Sequence, residues 1–357
     1  MTWLRTALKQ SFNRASIAFG CSIAAAPLLC TPHAALAQSA AASVSRDTMP
    51  TADRIRIAEA FRLAAAVGDS VWHDWSTAPF ALLLVTATHE FLVRHPAPSP
   101  DFAHAGYDSI IKGEVFVRPR VYQPTLRATF PAVGGVPTIV VGQADATDRS
   151  STRWVLTVLH EHFHQLQYAH PGYTAGVDAL KLDGGDSTGM WMLNFPFPYD
   201  APVVQARFNA LSRRLARALT TPVGGSRARP SLRPVAVASA ELRAAVPAAA
   251  YRYFDFQLWQ EGVARYTELR VARLADAASY TPCAAFRALP DYASYATART
   301  QLEAEMRAGL RQHDLGGTKR VAFYNVGAAT ALLLDRARSD WRTAYFSRPF
   351  SLDGLMH

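Results

Sequence analysis

Cysteine is nearly absent: Cys21, Cys30 and Cys283 are the only three in 357 residues. The first two sit in a stretch that reads as a removable leader, which leaves Cys283 alone in the mature chain. That excludes an internal disulfide and a Cys₂His₂-type structural zinc site. Beyond that leader the sequence has no apolar run long enough to span a membrane, so stable membrane insertion after cleavage is not expected. Lys/Arg runs and basic-aromatic ladders are missing too. The positive excess is mostly arginine scattered through expected helices, which gives nucleic-acid binding no specific support. No internal repeat is present.

What is there begins with export. Arg5, Lys9 and Arg14 precede an apolar run from Ala15 to Cys30, and Ala35-Leu36-Ala37 precedes Gln38. This is the pattern of a secretory signal peptide over residues 1–37. A retained anchor and a lipoprotein at Cys30 compete with it. Gly20 and Pro27 interrupt the run, and Leu29 stands where lipoprotein signals place a small residue. The reading is an exported bacterial protein, periplasmic or secreted. Losing three basic residues and no acid lowers its formal charge from +9 to +6. Half of the residues are hydrophobic, enough for a sizeable core.

Residues 38–50 form a flexible lead-in rich in Ala, Ser and Gln. A β-containing N-terminal lobe is expected over 51–150. It opens with a helix over 51–68, followed by strands over 80–86, 89–93, 114–122 and 137–141. The rest, 151–357, reads as a mostly helical lobe. Within it, 184–197 is an apolar, Pro-bearing stretch that reads either as a pocket wall or lid or as a loop tucked onto the core. A helix over 202–219 and a Gly/Pro/Arg-rich loop over 220–234 follow. Cys283 reads as buried and inert.

The chemistry concentrates in Leu159-His160-Glu161-His162-Phe163-His164, where His160, Glu161 and His164 match the H-E-x-x-H pattern of zinc hydrolases. Residues four apart on a helix lie about 40° apart around its axis, so both imidazoles can converge on one ion. Glu161 then stands beside the metal, free to act as general base. On the same helix Val155, Leu156, Leu159, Phe163 and Leu166 share a broad apolar side. Asp148, Ser150 or Ser151 can cap its start, and Pro171-Gly172 stops it. His89-Glu90 is half of a second such motif, but Val93 replaces its second histidine.

Trp259-Gln260-Glu261-Gly262-Val263-Ala264-Arg265-Tyr266-Thr267-Glu268 resembles the W-x-x-E-G-x-A-x-Y-x-E helix of gluzincin metallopeptidases, particularly the aminopeptidase N-like group. Here the tryptophan lies one residue nearer the glutamate. The resemblance implies that Glu261 is the third zinc ligand. Glu268, about 20° away on the helix, reads as a hydrogen-bond partner of a ligand histidine or as a surface ion pair. Gly262 either admits a neighbouring backbone or is a tolerated helix glycine. Phe323-Tyr324-Asn325-Val326-Gly327 resembles the Y-x-x-G start of a helix whose tyrosine stabilises the tetrahedral intermediate, so Tyr324 is assigned that role or that of a core tyrosine.

The resemblance also implies an α+β, zincin-like fold, one Zn²⁺ per chain, and a sheet edge beside the cleft, which by position would be 136–143. Two departures stand out: a long spacer separates His164 from Glu261, and no G-x-M-E-N strand is present. Aminopeptidase specificity therefore does not carry over. A metzincin arrangement would use His170, but Gln167 occupies the position of its turn glycine, and a continuing helix puts His170 on the apolar side.

These readings combine into an exported zinc-dependent metallopeptidase acting on a peptide or protein. His160, His164 and Glu261 hold the ion, with Glu161 and Tyr324 catalytic and Glu268 behind the ligands. A zincin-fold binding or scaffold protein without turnover and a non-peptidase zinc hydrolase are the alternatives. Oligomeric state is open.

Overall fold

The structure, a computed structural model, describes residues 48–221, 229–277, 280–311 and 314–356. The expected leader, most of the lead-in and part of the 220–234 loop lie outside these residues. The chain is α+β. Its strands are β1 (Leu82–Val85), β2 (His89–Val93), β3 (Ala103–Asp108), β4 (Gly113–Pro119), β5 (Arg127–Val133) and β6 (Val136–Gly142). They form one sheet in the order β3-β4-β2-β1-β6-β5, antiparallel except where β1 meets β6.

Alternation along β1 explains why it is wholly apolar. Leu82 and Leu84 face the main core under the helices, whereas Leu83 and Val85 face a smaller cluster with Phe102, Tyr122 and Phe130. A strand covered on both faces needs a continuous apolar run. The register is fixed accordingly, since a one-residue slip would exchange the two sets.

The sheet corrects one expectation. The 136–143 segment is no edge, because β6 is paired on both sides. The edges are β3 and β5, and β5, the edge that contacts α2, turns into β6 through Gly134-Gly135, both at positive φ. That turn conformation favours glycine and matches the strand twist. Pro131 within β5 suits an edge strand, where a missing N–H costs no ladder bond.

The helices are α1 (Thr51–Val71), α2 (Ser151–Ala169), α3 (Tyr173–Ala179), α4 (Trp191–Asn194), α5 (Pro202–Thr220), α6 (Arg233–Ala244) and α7 (Ala248–Gln257). A π-helical turn (Leu258–Gly262) joins α7 to α8 (Val263–Asp276). Then follow α9 (Ala284–Arg287), α10 (Tyr295–Arg311), α11 (Leu315–Thr318), α12 (Val321–Ala337) and α13 (Trp341–Ser347). Among the described residues no helix is long and apolar enough to cross a membrane.

Helix α2 lies between the sheet, at β5 and β6, and helices α1 and α8. Ser150 caps it by accepting from Arg153 N–H, and it ends at His170, before Pro171 and Gly172. Covered on nearly every side, it exposes little of either its apolar or its polar face. The 184–197 stretch is tucked onto α7: Trp191 and Phe197 are buried, and Tyr253 Oη and Gln257 Nε2 both donate to Met192 O at 2.8 Å. Cys283 is half-buried rather than buried, at the start of a short helix that has no need of its thiol.

Gly262 meets Gly327 where the π turn crosses α12. A Cβ on Gly262 would stand 2.5 Å from Gly327 Cα, and one on Gly327 would stand 2.8 Å from Leu258 O. Only two glycines allow the helices to come this close. In an open helix Gly→Ala gains about 1 kcal/mol; here Gly262→Ala should instead destabilise by about 1–3 kcal/mol, because backbone must move. A urea midpoint that falls checks this, and one that rises would show that the crossing is loose.

Candidate metal centre

Three elements meet at the site. Helix α2 brings His160 and His164, one turn apart; the π turn brings Glu261; and α12 lays the Tyr324 ring nearly parallel to that of His160, 6.5 Å away. Both imidazole Nε2 atoms lie 3.5 Å from Glu261 Oε2. All three ligand atoms fall within 4.8 Å of one another, a group able to hold a metal ion. Bonds of about 2.0–2.1 Å to a tetrahedral ion separate its ligands by roughly 3.3–3.4 Å, so the two carboxylate–imidazole separations fit such an ion. The donor set, two imidazoles and a carboxylate, suits zinc as well as other transition metals.

The opposite ring nitrogens decide whether the Nε2 lone pairs are available. Glu268 Oε1 lies 2.7 Å from His160 Nδ1, and Arg265 holds the same carboxylate at 3.0 Å. Both readings of Glu268, histidine partner and ion pair, describe one arrangement, but the pair is buried. His164 Nδ1 lies 2.6 Å from Gln167 Oε1. The Gln167 amide cannot be reversed, because its Nε2, with two hydrogens, faces three oxygens, Trp259 O, Gln260 O and Tyr345 Oη, two of them backbone carbonyls that can only accept. Gln167 Oε1 must therefore accept, Nδ1 must donate, and Nε2 is left with its lone pair. Gln260 Nε2 also approaches His164 Nδ1, at 3.2 Å, but the shorter contact occupies that nitrogen.

Those two carbonyls belong to the π turn. Gln167 donates to both of them, and Tyr345 Oη donates to Trp259 O as well.

Electrostatically the site favours positive charge. Burial alone would lower the His160 pKa, but hydrogen bonds to Glu261 and Glu268 and the charges of Glu268 and Glu161 raise it to about 10. Burial would raise both carboxyls. Instead the His164 charge and both imidazole contacts hold Glu261 well below its ordinary range, and Arg265 with His160 holds Glu268 at about 2. A field that retains a proton here also attracts a metal cation.

Glu161 is buried and outside the ligand group. Thr129 Oγ1, on edge strand β5, lies 2.9 Å from both its Oε2 and its backbone carbonyl. Tyr324 Oη accepts from Arg320 Nη1 at 2.5 Å. Burial and the Glu261 charge push its pKa well up against the opposing Arg320, so the phenol keeps its proton.

The remaining histidines and acids lie elsewhere. His162, on the opposite side of α2, stacks on Phe80 at 3.7 Å, and burial drives its pKa down to about 3, which keeps it neutral. His170 ends the helix and stacks on Phe346, outside the ligand group. Glu90 is a buried partner of Arg118. Thr129, Gln167, Gln260, Arg265 and Arg320 were not anticipated from sequence. Gln167, Arg265 and Arg320 carried a local signal, as the i+3 neighbour of His164, the i−3 neighbour of Glu268 and the i−4 neighbour of Tyr324.

Comparison with protein-family models, curated proteins and solved structures finds no match.

Replacing Glu268 by Gln keeps its size and removes its charge. It should weaken metal binding about 10–100-fold in competition with a chromogenic chelator, and unchanged affinity would detach Glu268 from His160's role. In metal-stripped protein His160 has a folded pKa raised from 6.5 to about 10. Its stabilising effect is complete below the lower value and lost as pH rises through the upper one. The stability difference between wild type and His160→Gln should close as pH rises from 6.5 to 10, read by denaturant titration at each pH.

Proposed function

We propose that this chain is an exported, zinc-dependent hydrolase of gluzincin type with a zincin-like fold, cleaving peptide bonds. The observation that carries the reading is the convergence of His160, His164 and Glu261 with Glu161 beside them but not among them. A metal store or structural site has no use for that extra carboxylate. Bound zinc supplies Lewis acidity, polarising a carbonyl and lowering the pKa of water to about 7.

The chain's own groups do the rest. Glu161, aimed by Thr129, takes a proton from the attacking water and passes it to the leaving amine. Tyr324 donates its phenolic proton in a hydrogen bond to the oxygen that gains charge in the transition state, an interaction that strengthens as the charge appears. Edge strand β5 offers unpaired backbone groups to an extended peptide, with Thr129 fixing that edge against the catalytic carboxylate. The signal pattern over residues 1–37 supports export.

Elemental mass spectrometry on purified residues 38–357 should find about one zinc per chain, by the donor set, and none in His164→Ala. Glu161→Gln should keep the metal while losing about 10²–10⁴-fold in turnover of a peptide library. Ester or non-peptide amide turnover without peptide cleavage would redirect the reading to another zinc hydrolase. Metal without any turnover would leave a binding protein.

A further inference from the structure

Arg320 is a cation at the site without a carboxylate of its own. It begins α12, half-buried, and its one side-chain hydrogen bond goes to Tyr324 Oη. Among the described residues no carboxylate lies within ion-pair distance of it, whereas Arg153, Arg265, Arg270 and Arg273 on the neighbouring helices are each paired. Glu261 is close enough for its charge to act on Arg320, but its Oε2 is engaged by both imidazoles. The guanidinium charge also reaches the Tyr199 and Tyr253 phenols.

A guanidinium carries five N–H donors in a fork matched to a carboxylate. One donor is used on Tyr324, and among the described residues no hydrogen bond or ion pair uses the rest. None of its nitrogens is buried without a partner, so the unused donors stay accessible to a group that enters from solvent. We propose that Arg320 is a specificity residue that binds a carboxylate of the substrate next to the scissile bond. This rests on the hydrolase reading and narrows its substrate class.

Distance sets which carboxylate is eligible. The scissile oxygen lies one hydrogen bond from Tyr324 Oη, and Arg320 lies one more beyond, roughly 5–6 Å in all. Successive Cα atoms are about 3.8 Å apart, so the anion belongs to a residue flanking the cleaved bond. It is either the chain-terminal carboxylate or an acidic side chain.

Calorimetry separates these sources. Glu161→Gln protein, supplied with zinc, is titrated with acetyl-trialanine amide, with its free acid, and with acetyl-Ala-Asp-Ala amide. One acid peptide should bind roughly tenfold to a hundredfold tighter than the neutral amide, the range for a charged hydrogen bond. The preference should vanish when Arg320→Gln is added and return in part with Arg320→Lys, which restores charge without the fork. Tighter binding of the free acid identifies the terminal carboxylate, and tighter binding of the aspartyl peptide an acidic side chain. Equal binding of all three, no binding of either acid, or a preference that survives Arg320→Gln overturns the proposal. So does an Arg320→Gln enzyme whose kcat falls alike on neutral and acidic peptides, since that describes a residue that only positions Tyr324. A preference in binding with no turnover by wild type sinks the peptidase reading and leaves this assignment standing. Turnover with no preference does the reverse.

Discussion

His160 and His164 can share an ion with Glu261 only if both rings present the same nitrogen, and that depends on what grips the opposite one. Two different devices do so. An Arg265–Glu268 pair engages His160 through charge, whereas Gln167 engages His164 through an amide whose orientation is fixed by three oxygens. In a helix this buried an unpartnered polar group is costly, and the network gives His164 Nδ1 a hydrogen-bond acceptor and His160 Nδ1 a carboxylate at ion-pair distance. His162, two residues from each ligand, shows the contrast. The same side chain, turned toward Phe80 and Trp75, is kept neutral by apolar surroundings and has no charge to offer.

The two sides of the site are held by unrelated means. On one, the sheet edge reaches Glu161 through Thr129, so the carboxylate's aim depends on where β5 pairs with β6. On the other, Tyr324 and Arg320 ride on α12, whose approach is set by two glycines in contact. Beneath both lies an aromatic floor in which Trp259 and Tyr345 stack 4.6 Å apart, while Tyr345 Oη donates to Trp259 O within the π turn. Polar and apolar packing thus converge on the same two residues.

Much of this was legible in sequence. The helix bearing His160 and His164, its stop at Pro171-Gly172 and strands β1, β2, β4 and β6 follow from periodicity and punctuation, and the close approach at Gly262 was one of its two readings. Strand β3 was not legible, because its residues are mostly exposed and broken by a bulge near Gly106. Strand β5 was hidden by Pro131, although Gly134-Gly135 was a usable hairpin signal. The interior place of β6 depends on parallel pairing with β1, which joins segments far apart in the chain and leaves no local mark. Thr129 and Gln260 escaped for the same reason: each acquires its partner only through tertiary contact.

The ligands' separation along the chain has a thermodynamic consequence. An unfolded chain keeps at most the His160–His164 pair within local reach, and Glu261 joins them only once α2 and the π turn have docked. Closing so long a loop carries a substantial entropic cost, and only the packed core offsets it. An ion that needs all three donors therefore discriminates between folded and unfolded chains, and each tenfold excess of ion over its dissociation constant adds about 1.4 kcal/mol to the stability of the fold. An ion held by this group would thus be coupled to the core in one folding equilibrium, and its free concentration would help set how much of the chain is folded.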